Sequence, residues 1–175
     1  GYNTAVETGF NWQGSMMAQS ARDFLYFSCL TVAAQDAFWA TGTPNGTDIC
    51  VRCHFPKGWL EGRSDPTNAS LMTGADYDVV QCDFCHRLVD PVYREGVSPV
   101  QDLDILAALT TVPPGAANGQ FVLDPDPMRR GPYADAQASH QFLESNFHRS
   151  ADLCATCHDD IAAAQVHVNL RYEIA

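Results

Sequence analysis

Lysine is almost missing from this chain. Lys57 stands alone against nine arginines, and 21 acidic residues bring the net charge to −11. A surface of that sign argues against nucleic acid and anionic lipid as partners, and favours basic partners, positively charged mineral surfaces or self-association controlled by counterions. Long apolar runs are missing too: no 18-residue stretch can span a membrane. No paired carboxylates, Ser-His-Asp set or Gly-rich phosphate loop stands out. Long periodic stretches are few, while 10 prolines and 12 glycines interrupt the chain. Such a sequence has difficulty closing an apolar core by itself.

Histidine is scarce as well, but its placement is ordered. Three of the six histidines close the same five-residue word: Cys50-Val51-Arg52-Cys53-His54, Cys82-Asp83-Phe84-Cys85-His86 and Cys154-Ala155-Thr156-Cys157-His158. C-x-x-C-H is the attachment site of c-type haem, and chance would supply on the order of 0.01 such words in a chain of this composition. Two thiols form thioethers to the porphyrin, and the adjacent histidine reaches the iron. Cys50, Cys53, Cys82, Cys85, Cys154 and Cys157 are therefore expected to hold three covalent haems, with His54, His86 and His158 as proximal ligands. A tetrathiolate zinc site on Cys50, Cys53, Cys82 and Cys85 uses the thiols but leaves the following histidines unexplained. Disulfides, compatible with an exported chain, ignore the histidines equally.

The other three histidines, His140, His148 and His167, match the number of second axial ligands that three low-spin irons need. His148 precedes the third motif too closely to cross its own haem, and is expected to serve a neighbouring one. Met16 and Met17 are rival ligands, since thioether ligation raises a haem's potential. The alternative is that both pack as apolar helix residues. Cys29, the seventh cysteine, is expected to be a buried free thiol. Arg52, Arg63 and Arg87, near the first two motifs, are candidates for holding propionates or else ordinary solvated charges.

The expected fold is mainly α with extensive irregular coil and little β structure: one small domain, 1–175, wrapped around three haems. Ser15 is a plausible N-cap for one long helix over 15–39. Thr43-Pro44-Asn45-Gly46 stops it. A short helix over 76–89 carries the second motif, Leu103–Leu109 forms a helical turn, and Gln120–Leu123 a strand. Helix returns over 134–149, placing His140 and His148 about 80° apart, and Asp152 caps the helix of the third motif. Residues 166–172 alternate as a strand does. The chain begins at Gly1 without a signal-like segment, as expected of a mature or trimmed product. Haem c attachment outside the cytoplasmic membrane implies a periplasmic or extracellular location.

Several blocks resemble bacterial multihaem c-type cytochromes: Gly14–Asp23, Gly58–Ser64, Cys82–Pro91, Arg130–Ala136 and Phe147–Asp159. The resemblance implies electron transfer through stacked haems, with His54, His86 and His158 proximal and His148 distal. It departs in two respects. Relatives usually carry more haems beyond the last motif, and many have His where this chain has Met16-Met17. Small exported cytochromes of similar build polymerise into extracellular filaments, which marks His167 and the 166–172 strand as candidates for contact with a second copy. The competing expectations are a monomer with His167 folded onto its own haem, and a small multihaem reductase with one open iron.

Overall fold

The apolar pattern over 15–39 folds as two helices, because two good caps compete within it. The computed structural model describes residues 7–126 and 128–159. After α1 (Thr8–Gln13), the Ser15 hydroxyl accepts from the Ala18 N–H and starts α2 (Met16–Gln19). Asp23 then accepts from the Leu25 N–H at 2.9 Å and starts α3 (Phe24–Thr41). The break at Ser20 takes that residue's carbonyl out of any continuous helical ladder. Gly42, at φ 79°, ends α3 in the left-handed conformation that a C-terminal cap requires.

A 3-10 turn (Pro44–Thr47) leads into α4 (Asp48–His54), which carries the first motif, and then α5 (Pro56–Leu60). Gly58 is needed here: a β-carbon would meet the Met72 sulfur at 2.2 Å. Behind α5, Arg63 donates to both oxygens of the buried Asp76, at 2.7 and 2.6 Å. Ala21, Tyr26, Leu30, Val51, Phe55 and Trp59 supply the core. Helix α3 buries only Tyr26 and Leu30, leaving Phe24, Leu25, Val32, Phe38 and Trp39 exposed. Two expectations fail on this surface. Cys29 lies off the narrow buried stripe and is exposed, and Met16 and Met17, 87% and 44% exposed, do not pack.

These elements form one compact unit, ending at Gln81; a second runs from Cys82. In the second, α6 (Cys82–His86) carries the second motif and gives way at once to β1 (Leu88–Val89). The helix expected over 76–89 is thus a 3-10 turn (Gly74–Asp78), then a separate short helix, then a strand. Helix α7 (Asp102–Ala107) and strand β2 (Val122–Leu123) appear close to where the sequence places them. β1 pairs antiparallel with β2, Leu88 opposite Leu123. Val89, Leu106 and Val122 form the small core there.

The helix expected over 134–149 does not form. Phe142–Glu144 instead pairs as β4 in parallel with β3 (Arg129–Gly131), and a 3-10 turn (Asn146–Arg149) follows. Pairing with a partner strand outweighs a modest local preference for helix. His140 and His148 therefore do not share a helix. The third motif rides on α8 (Ala151–His158), whose N-cap is Ser150, accepting from the Asp152 N–H at 2.9 Å. Asp152 is in the first turn and is not the cap. Over the described residues the fold is mainly helical with little strand. The strand expected over 166–172, with His167, lies outside the described residues.

Candidate functional site

Each C-x-x-C-H word lies on its own short helix. There the two thiols, three positions apart, and the histidine, four from the first, share one face. In the first motif the His54 Nδ1–H donates to the Ser20 carbonyl at 2.9 Å. A carbonyl can only accept, so Nδ1 carries the proton in this bond, and Nε2 is the ring's other nitrogen. Tyr26 stacks on the same imidazole at 3.9 Å, 15° from parallel. Burial, with Cys50 and Cys53 adding to it, pushes the Tyr26 phenol above its ordinary range.

The second motif repeats the arrangement with a different partner. His86 Nδ1–H donates to the Arg130 carbonyl at 2.6 Å. Metal-bound histidines almost always make such an outer bond, which orients the ring and raises its basicity. Beside it lies His148, whose Nε2–H donates to the Cys85 carbonyl at 2.9 Å. The His86 and His148 rings are 6.3 Å apart and 16° from parallel. His148 Nδ1 is buried without a hydrogen-bond partner among the described residues. Burial holds this imidazole below its ordinary pKa despite the Cys85 bond, with His86 and Arg130 adding to the effect.

The third motif approaches the second. Burial, followed by the influence of Cys157, Cys82 and Cys154, pushes the Cys85 thiol up to about 11. The far end of α8 is held by Asn118 and Gly119, whose N–H groups donate to the Asp159 and Thr156 carbonyls. His158 is exposed. Cys50 and Cys53 lie in the first compact unit and Cys82 and Cys85 in the second.

The remaining candidates divide. His140 is exposed, with Nδ1 bonded to the Gln141 carbonyl. The three arginines are all engaged within the protein. Arg52 pairs with Asp48 at 2.9 Å and lies over the Trp59 ring. Arg63 pairs with Asp76 and Glu61. Arg87 donates to the Asp124 carbonyl. Among the described residues no three or more His, Cys, Asp or Glu side chains converge as a bare metal ion would require. Nor is any helix there long and apolar enough to cross a membrane.

Sequence reasoning did not reach Ser20, Arg130 or Tyr26. The first two act through backbone carbonyls, which every residue possesses. Tyr26 reads in sequence as one more apolar helix position. No protein-family model, curated protein or solved structure matches this chain.

Proposed function

We propose that this chain is an exported electron carrier of the multihaem c type, with one haem on each of the three thiol pairs. Each bound haem would take up and release one electron at its iron, between limits set by axial ligands and surroundings. The chain's own contribution is orientation and electrostatics. Ser20 and Arg130 fix the rings of His54 and His86, so that each presents Nε2 as a ligand. His148 is the second ligand beside His86, because it offers a buried lone pair next to that motif. The carrying observation is the pair of Nδ1–H bonds, from His54 to Ser20 and from His86 to Arg130. Zinc on four thiols does not require either bond.

The acidic surface suits basic redox proteins or positively charged extracellular acceptors. Self-association into a homopolymer is supported by the alternation over 166–172.

The deciding experiment is haem staining of a denaturing gel, with a visible spectrum in both redox states. Covalent haem stays with the polypeptide and gives low-spin bands. Colourless protein that releases zinc on denaturation rejects the proposal.

A further inference from the structure

Behind His86 stands the most deeply buried ionic cluster among the described residues. Both side chains of the Arg130–Asp102 pair are 0% exposed. Arg130 Nε and Nη2 donate to Asp102 Oδ1 at 3.2 and 2.7 Å, and its Nη1 donates to Asp124 Oδ2. The same residue's carbonyl accepts the His86 Nδ1–H. Asp124 is tied to the next residue: its N–H donates to the Arg87 carbonyl at 2.9 Å and its carbonyl accepts from Arg87 Nε at 2.7 Å. One guanidinium thus faces two carboxylates, and the whole cluster is fastened to residues 86 and 87.

Such a cluster is a poor device for stability alone. Well-packed apolar residues in place of a buried ion pair are often neutral or stabilising. Two further observations point to a titrating group. Asp102 Oδ2 is buried without a hydrogen-bond partner among the described residues. A third carboxylate, Asp90, acts on Asp102 from nearby and is itself 5% exposed. Burial raises the Asp102 carboxyl; Arg130 opposes this, Asp124 and Asp90 reinforce it, and the net direction is up. Asp90 is raised in the same way by burial, against its bond from the Val92 N–H and the charge of Arg94, with Asp152 reinforcing.

Resting on the haem reading of the second motif, we propose that Arg130 is the positioning residue for His86, and that Asp102 takes up a proton when the centre held by His86 takes up an electron. The electron comes from an external one-electron donor. The proton comes from a buffer acid and forms an O–H bond at Oδ2. Added negative charge beside the cluster favours the protonated carboxyl, and linkage makes the effect reciprocal.

The test is a redox titration of the haem-loaded chain across pH 4 to 8, beside Asp102→Asn and the control Asp104→Asn on the exposed side of α7. In wild type one midpoint should fall as pH rises, by up to about 59 mV per unit for a one-proton, one-electron couple. Asp102→Asn should flatten that dependence and raise the midpoint about tenfold in equilibrium constant, again about 59 mV. Asp104→Asn should behave as wild type. Arg130→Lys, which keeps the charge but not the fork, should shift the His86 Nδ1 proton resonance. If Asp102→Asn does not fold, the wild-type titration decides alone: midpoints flat over this range overturn the proposal. Identical slopes in wild type and Asp102→Asn overturn it equally. A mass spectrum lacking haem on Cys82 and Cys85 instead rejects the haem reading, so the two failures are distinguishable.

Discussion

His148 lies against the second motif and not its own: its ring centre is 6.3 Å from that of His86, the planes are 16° from parallel, and its Nε2–H is bonded to the Cys85 carbonyl. A haem on Cys82 and Cys85 would have His86 and His148 as its nitrogen donors, and these would set how readily its iron gives up an electron. His148→Ala should leave the amount of attached haem unchanged while turning about one third of the iron high-spin and open to carbon monoxide. Unchanged low-spin spectra in that variant would remove His148 from the ligand set.

The thiols of the third motif can be tested without disturbing the first. Cys154→Ala combined with Cys157→Ala should lower covalent haem by about one third, measured as protein mass and as pyridine haemochrome. Because Cys85 lies near Cys157, the remaining spectrum should also shift slightly. Full haem content after both substitutions would show that these thiols are not attachment points.

Tyr26 separates packing from hydrogen bonding. Its ring stacks on His54, yet its buried hydroxyl has no hydrogen-bond partner among the described residues. Tyr26→Phe keeps the stack and removes the stranded hydroxyl, so thermal stability should hold or rise. Tyr26→Ala removes a buried ring and should cost about 3–5 kcal/mol. A large loss in Tyr26→Phe would reveal a bonded hydroxyl.

Asp76 should govern acid sensitivity in the first unit. Burial raises its carboxyl, but the bonds from Arg63 and the Thr73 N–H outweigh burial, and the net direction is down. A carboxyl lower in the folded than in the unfolded state stabilises above the unfolded value, about 3.9, and loses that contribution as pH falls through the folded value. Denaturant unfolding of wild type should weaken below about pH 4. Asp76→Asn should cost about 1–2 kcal/mol at neutral pH, since it weakens the charged bonds from Arg63 while Arg63 keeps Glu61, and should flatten the acid limb. An unchanged acid limb would assign the sensitivity elsewhere.

Self-association is the last expectation. At high concentration, electron microscopy should show extended assemblies that His167→Ala abolishes. A wild-type chain that stays monomeric with three low-spin irons excludes the polymer.

What the sequence determines here is what local geometry can enforce. Five consecutive residues place two thiols and an imidazole on one face of a single helical turn, and no other part of the chain needs to take part. Ser15 as a cap, the turn at Pro44 and the positions of α7 and β2 are legible for the same reason. Tertiary structure decides the rest. The carbonyls that orient His54 and His86 come from Ser20 and Arg130, 34 and 44 positions away, and backbone acceptors leave no trace in residue type. The helix expected over 134–149 yields to strand pairing with β3, and the 15–39 pattern splits because Asp23 offers a second cap. Cys29, Met16 and Met17 look buried by chemistry but lie on faces that the folded unit leaves open. Burial depends on which surfaces meet, and that is settled only when distant segments pack.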